Sequence, residues 1–311
     1  MTGSDLKKAV GTRLTDGVVT RFAPAPTGAL HIGHVVNALY VWGLARALGG
    51  EVILRVEDHD RQRSRSEWER QMLDDLDWLG LAPDVYPTDA YRRGACDGRQ
   101  SERDDLYRRS LAPLIAEGMV YGCRCTRAMH QGGQNASSTT TSGELFYPGT
   151  CRDAGIPLDD DVGWRLRLDP GQETFDDGLM GRQQQDPAAQ CGDLLVRDRS
   201  GNWTYQCVVA IDDAVQGVTL VVRGQDLLAS TGRQMRLARL IGRKVPALFV
   251  HHRLVMKSAT QKLSKSDGDT SVRDLRAAGW SADRVIAHAA VLAGLTSTTA
   301  SLSSRDVSDL F

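Results

Sequence analysis

The sequence predicts an α/β fold: a parallel-sheet catalytic domain, interrupted by a small insertion and followed by a short helical segment. Three observations carry this. Val18-Val19-Thr20-Arg21 and Glu51-Val-Ile-Leu-Arg-Val-Glu57 are β-branched runs on either side of a helical stripe, Val35, Leu39, Trp42 and Ala45, stopped by Gly49-Gly50. That is a βαβ unit, whose helix N-terminus faces the strand ends where open sheets bind ligands. A second strand–helix–strand pattern returns late, in Val218-Thr-Leu-Val-Val-Arg223-Gly224, a helix carrying Leu228, Met235 and Leu240, and Ala247-Leu-Phe-Val-His-His252. Between the two lie Cys123, Cys125 and Cys151 and a low-complexity tract at 131–143, which reads as a mobile loop.

Composition narrows the class. At 311 residues the chain holds one large catalytic domain or two modest ones. Its net charge of −1 does not advertise nucleic-acid binding, so any RNA contact must use local patches such as the arginines around Arg92, Arg93, Arg99, Arg103, Arg108 and Arg109. No apolar run is long enough to cross a membrane, and residues 1–17 are too polar for a signal peptide, so the expected location is cytoplasmic. Six cysteines in a chain of this length do not make a disulfide scaffold.

Taken in order, residues 1–17 read as a flexible leader and 18–119 as the first half of the catalytic domain. Ser64-x-x-Glu67 suggests a capping box ahead of the stripe Trp68, Met72, Leu76 and Leu79. Residues 81–100 read as irregular, and a helix is expected from about Glu102 to Gly118 with a kink at Pro113. Residues 120–190 read as the insertion. Residues 191–266 form the second half, with a hairpin turn at Ser200-Gly201-Asn202 and a return strand from Trp203 to Ile211, closed by Asp212-Asp213. Residues 267–311 leave room for two short helices, near Asp274–Ala278 and Ala282–Leu295, and a polar tail.

Chemistry concentrates at a few places. After Pro24, Pro26 and Gly28 turn the chain, His31 and His34 stand three apart, so both imidazoles project from one face of the helix's first turn. There, with a helix N-terminus, they suit phosphate, and Gly33 between them would let a flat group approach the backbone. Strand ends at Tyr205, Asp212 and Arg223 read as a pocket rim. Lys262-Leu-Ser264-Lys265-Ser266 is a polar loop able to close over a triphosphate. Cys123-x-Cys125 and Cys151 supply three thiolates for zinc; a structural site takes four ligands, and Tyr147 and His130 are the candidates for the fourth.

His31-Ile-Gly33-His34 after Ala-Pro-Ala-Pro-Thr-Gly, and Lys262-Leu-Ser-Lys-Ser266, resemble the two signatures of class I aminoacyl-tRNA synthetases. Arg21-Phe-Ala-Pro and Arg55-Val-Glu57-Asp58 narrow the resemblance to the glutamyl branch. The short stretch after Ser266, with no anticodon-binding domain, is similar to the truncated glutamyl-Q tRNA(Asp) synthetases. The resemblance covers Arg21 to about Leu295 and implies a Rossmann-type domain that activates L-glutamate with ATP and Mg²⁺ and transfers it to queuosine-bearing tRNA(Asp). It implies His31, His34 and Lys265 as catalytic groups, and ATP binding by His31, Gly33, His34, Lys262, Ser264 and Lys265. Glutamate would be held by Arg21, Phe22, Ala23, Pro24, Ala25, Glu57, Tyr205 and Arg223. It also implies one structural zinc on Cys123, Cys125, Tyr147 and Cys151, and nothing in the chain signals oligomerisation, which suggests a monomer. A truncated enzyme charging a tRNA 3′ end, a small nucleotidyltransferase and a non-catalytic paralogue are the rival readings.

Overall fold

The structure is a computed structural model, and it describes residues 1–14, 17–126, 129, 146–255, 270–298 and 300–311. The tract at 131–143, His130 and the Lys262–Ser266 motif lie outside the described residues.

The predicted βαβ unit is present as β1 (Val19–Phe22), α2 (Ile32–Ala47) and β2 (Glu51–Leu54), with β1 and β2 parallel. The late unit is β8 (Leu220–Gly224), α8 (Thr231–Leu240) and β9 (Leu248–His252), again parallel. A short 3-10 turn, Gln225–Ser230, precedes α8, so Asp226 does not cap that helix. β1 lies beside β8. Thr219 N–H donates to Val19 O at 2.8 Å, and Arg21 Nη1 reaches Val222 O at 3.1 Å. From β1 the chain winds outward to β2, and from β8 it winds the other way to β9. The strand order therefore reverses between β1 and β8, and a crevice opens there at their C-terminal ends.

Four expectations are corrected. The leader holds α1 (Gly3–Gly11), capped reciprocally by Thr2 and Asp5, with Leu6 and Val10 buried in the main core. Its stripe is too short to stand out by period alone. The Ser64 box does not form: α3 (Ser66–Leu79) starts after Arg65, which gives no side-chain cap. Within 81–100 a short helix, α4 (Thr88–Arg92), forms behind Pro87. The expected return strand is instead α7 (Tyr205–Val215), entered at Thr204; Trp203 bridges back to Arg197 and Thr204 N–H donates to Val196 O at 3.0 Å before the helix begins.

The insertion is a three-stranded antiparallel sheet of β3 (Val120–Cys123), β4 (Gly163–Leu166) and β7 (Leu194–Arg197). It packs with α5 (Asp104–Ala116) and α7 around a core of its own, centred on Leu111, Trp164, Val196, Trp203 and Val208. β5 (Glu173–Asp177) and β6 (Gly181–Gln185) fall inside the predicted insertion, yet join the catalytic sheet, with Asp177 paired to Phe249 of β9. The boundary drawn at 190/191 therefore does not follow the sheets. A single turn, α6 (Pro187–Cys191), leads from β6 to β7.

The C-terminal segment forms α9 (Val272–Ala277) and α10 (Ala282–Leu292), near the expected positions. The tail is not merely polar. Val307 and Phe311 are buried against α2, where a Cβ on Gly43 would meet the Phe311 ring at 2.3 Å, and Gly3 lies against the Leu310 carbonyl.

Candidate active site

The crevice is a cleft of about 910 Å³. Arg21, Phe22, Ala23 and Pro24 enter it from the end of β1, His31, Gly33 and His34 from the start of α2, Glu57 from beyond β2, Tyr205 from the first residue of α7, and Arg223 from β8. All line one cavity; Ala25 is not among the lining residues, nor is Asp212, expected at the rim with Tyr205 and Arg223 but wholly buried. Both ends of the stretch carrying Lys262–Ser266 meet this cleft: Leu254 and Val255 line it, and Ser271 bridges His31.

The two histidines do more than project. His31 is the N-cap of α2: its Nδ1 accepts from Gly33 N–H at 3.1 Å. His34 Nδ1 in turn accepts from His31 N–H at 3.0 Å, closing a capping box between the imidazoles. The rings lie 3.9 Å apart between centroids. Because each Nδ1 accepts, each ring carries its proton on Nε2. The Gly33 amide is thus spent on the cap, and each imidazole carries its donor hydrogen on Nε2. Gly33 also has a different use from the predicted one: a Cβ there would sit 2.9 Å from His31 Cε1, so the missing side chain makes room for the capping ring.

Below the cleft floor is a buried charge network. Arg55, fully buried, donates to Asp213 at 2.7 Å, Gln216 at 3.0 Å and Glu57 at 3.2 Å. Arg21 Nε donates to the same Asp213 oxygen at 3.0 Å. Burial works to raise the Asp213 carboxyl, but Arg21 and Arg55 hold it down at about 2. Burial lifts Glu57 above the usual carboxylate range against the pull of Arg55. Asp212, one residue along α7, accepts from Gln100 and Tyr107 and faces Arg103 at 3.2 Å.

Arg223 differs from Arg21. Its guanidinium meets neutral acceptors: His251 Nε2 at 2.9 Å, Gln234 Oε1 at 2.6 Å and Thr231 Oγ1 at 2.8 Å. Among the described residues no carboxylate pairs with it, although it is 4% exposed, and burial pushes its pKa below the ordinary arginine value. Three of five N–H groups are used, and the Tyr205 phenol lies beside it.

The cysteines converge as predicted. The sulfurs of Cys123, Cys125 and Cys151 lie within 4.8 Å of one another, with Cys125 and Cys151 at 3.5 Å. A tetrahedral zinc, with Zn–S near 2.3 Å, sets sulfurs roughly 3.8 Å apart, so the set fits that ion. Tyr147 Oη lies 3.4 Å from Cys123 Sγ and accepts from Cys151 N–H at 2.9 Å, and the Arg165 guanidinium lies 3.5 Å from the centre of its ring. The donor set is thus three thiols with a phenol among them. Burial, with help from the neighbouring sulfurs, pushes Cys125 up to about 12 when no metal is present.

The sequence profile of class I tRNA synthetases (E and Q), catalytic domain, matches residues 17–305. A glutamyl-Q tRNA(Asp) synthetase of Symbiobacterium thermophilum is 42% identical over 288 residues, covering 88% of this chain and 86% of the relative. One from Rhodobacter capsulatus is 37% identical, covering 85% and 96%. This chain belongs to the glutamyl-Q tRNA(Asp) synthetase family of class I synthetases. A crystal structure of glutamate-tRNA synthetase from Elizabethkingia anophelis superposes on this synthetase with a TM-score of 0.75 at 25% identity. The match covers 95% of this chain and 66% of that one, so the synthetase spans just under two thirds of the longer enzyme.

Sequence reasoning missed the residues of this synthetase that sit behind the cleft. Asp213, Arg55, Gln234, Thr231, His251 and Asp177 hold Arg21, Glu57 and Arg223 in place at the cleft, Asp177 through His251. One signal was available: two acids, Asp212-Asp213, directly follow an apolar run and need buried cations. The proposed RNA patch is largely spent on structure, since Arg92 pairs with Asp74, Asp77 and Asp89, Arg99 with Glu69, and Arg108 with Asp104. The basic side chains at the cleft mouth are Arg63 and Arg65 instead.

Proposed function

We propose that this synthetase activates L-glutamate with ATP, without needing tRNA, and then passes the glutamyl group to queuosine in the anticodon of tRNA(Asp). The observation that carries the reading is Arg223, a buried cation among neutral acceptors at the end of a cleft that also holds Arg21, Tyr205 and Glu57. Its two remaining N–H groups suit a bidentate carboxylate, whereas Arg21 is already neutralised by Asp213. Arg223 thus reads the γ-carboxylate and Glu57 takes the α-ammonium. Phe22 and the backbone from Ala23 through Pro24 to Ala25 wall the amino acid.

The α-carboxylate oxygen attacks the α-phosphorus of ATP, the bond to the β-phosphoryl oxygen breaks, and pyrophosphate leaves. The imidazole Nε2–H groups of His31 and His34 donate to phosphate oxygens as charge builds. Mg²⁺ supplied with ATP offsets phosphate charge. By resemblance, Lys262, Ser264 and Lys265 complete the phosphate contacts. Glutamate is then esterified to the acceptor hydroxyl and AMP departs. One zinc on Cys123, Cys125, Tyr147 and Cys151 is structural. Among the described residues no helix is long and apolar enough to cross a membrane; the proposed setting is the cytoplasm and the proposed state a monomer. The names of the relatives support the queuosine acceptor.

ATP–pyrophosphate exchange with glutamate and no tRNA tests this, with glutamine and aspartate alongside. Exchange with glutamate alone is expected, with glutamine rejected because one charge would go unpaired. Exchange that appears only after tRNA is added would point to an enzyme charging 3′ ends. Arg223→Ala should raise the glutamate KM by roughly 10²-fold or more, the cost of stranding a buried charge; an unchanged KM would remove Arg223 from recognition.

A further inference from the structure

Behind Arg223 runs a buried relay. Asp177, at the end of β5, accepts from His251 of β9: Oδ2 lies 2.6 Å from Nδ1. His251 Nε2 lies 2.9 Å from Arg223 Nε and 3.2 Å from Thr231 Oγ1. All three members are interior: His251 is wholly buried, Asp177 is 3% exposed and Arg223 is 4% exposed. The Phe249 ring stacks beside His251, closing the site from solvent.

The proton positions follow from what each atom faces. An arginine Nε–H can only donate, so His251 Nε2 must accept, and the ring proton lies on Nδ1. Only an acceptor can stand opposite Nδ1–H, and Asp177 Oδ2 supplies it. The other carboxylate oxygen, Oδ1, is fixed by Leu179 N–H at 2.9 Å and Met180 N–H at 2.8 Å, in the turn that leads to β6, and the His251 backbone N–H straddles the carboxylate at 3.3 Å from Oδ1 and 3.2 Å from Oδ2.

We propose that Asp177 and His251 are positioning residues for glutamate recognition: the carboxylate locks the His251 tautomer so that Nε2 receives the Arg223 Nε–H and aims the two remaining guanidinium N–H groups into the cleft. The proposal rests on the assignment of Arg223 to the substrate carboxylate. It also gives a use to the β5–β6 hairpin, which meets β9 at Asp177 and Phe249 and carries none of the cleft-lining residues.

Asp177→Asn is the discriminating change. The amide oxygen must take the Oδ1 place, because the Leu179, Met180 and His251 backbone N–H groups all reach it, and the His251 N–H can stay on it. The amide NH₂ is then forced opposite His251 Nδ1. The ring must shift its proton to Nε2, which places a donor against the Arg223 donor. D177N should therefore raise the glutamate KM in pyrophosphate exchange by roughly ten-fold to a hundred-fold, with ATP KM and kcat within about three-fold. His251→Gln keeps an acceptor toward Arg223 and has no tautomer to invert. H251Q should raise the glutamate KM less than D177N does, and D177N/H251Q should recover to the H251Q level.

A residue that merely holds the turn would behave differently: its defect would persist in the double variant. That result, or an unchanged glutamate KM in D177N, overturns the proposal. Nitrogen-15 NMR of His251 reads the relay without substrate, with protonated Nδ1 expected in the parent enzyme and protonated Nε2 in D177N. Protonated Nε2 in the parent enzyme also overturns it, even where D177N fails to fold. Should the parent enzyme show no glutamate exchange, the functional reading falls, while the tautomer measurement still decides the relay.

Discussion

Each imidazole of the His31–His34 pair spends Nδ1 on the helix cap and keeps Nε2–H as a donor, so structure and chemistry share one ring. Gly33→Ala separates the two. Alanine favours a helix over glycine by about 1 kcal/mol, but its Cβ would press on the His31 ring. The expected outcome is a kcat for exchange at least about ten-fold lower with an unchanged or higher Tm; a fall in both would mean the ring is needed mainly for folding. Asp75 offers a separate prediction, in stability. Burial raises its carboxyl to about 7 against the pull of Arg276, and Oδ2 has no hydrogen-bond partner among the described residues. The folded pKa lies above the unfolded value of 3.8, so the folded state keeps a proton that the unfolded chain releases. Stability therefore falls as pH rises through that interval, and the loss is complete above it. Asp75→Asn should stabilise more at about pH 8 than at about pH 5, by on the order of 1–2 kcal/mol once solvent screening is allowed for, read by chemical denaturation. At this scale the cleft was legible because many of its lining groups lie in short contiguous words, Arg21 to Pro24 and His31 to His34. Asp177, His251 and Asp213 were not, because their role is to hold another side chain, and that relation crosses long stretches of sequence.

Elements were legible where one face is apolar. The stripe of α3 shows such a face and formed; the βαβ unit, buried nearly all round, was legible instead from its β-branched flanks and its Gly49-Gly50 stop. α7 was misread as a strand for a physical reason: Gln206 through Asp213 are all buried, so the sequence carries no polar face and no 3.6-residue period. Its Val208, Val209 and Ile211 favour strands intrinsically, and packing into the insertion core overrides that preference. The consequence reaches the site, since a helix starting at Tyr205 places Tyr205 at the cleft and Asp213 two turns below it. α1 was missed because it is short, yet Leu6 is 1% exposed. Leu6→Ala should cost about 2–5 kcal/mol in urea unfolding; a change under about 0.5 kcal/mol would show that α1 docks only loosely.

At the scale of the molecule the catalytic sheet and the insertion keep separate cores, and α7 packs in the second, through Cys207 to Ile211. The boundary misplacement in the sequence reading has its origin here: β5 and β6 return to the catalytic sheet before β7 goes back to the insertion, and strand partnership is a long-range property. The cysteine cluster anchors the far end of β3, where Cys123 closes the strand. Metal analysis should find about one zinc per chain, and Cys125→Ser or Cys151→Ser should lose it and lower Tm by several degrees. Full metal content in both variants would exclude the cluster as the site.

Gly3 rests against the carbonyl of Leu310, and Phe311 fills the notch at Gly43. This contact also sets a schedule for synthesis. The first helix leaves the ribosome well before Leu310 and Phe311, the residues that complete its resting place. Until they emerge Leu6 and Val10 have no complete seat, and the nascent chain offers a chaperone or a protease an apolar handle on that helix. Closure of the main core therefore waits on residues 307–311, and a ribosome stalled short of residue 307 holds a chain whose sheet can form while its first helix still waits.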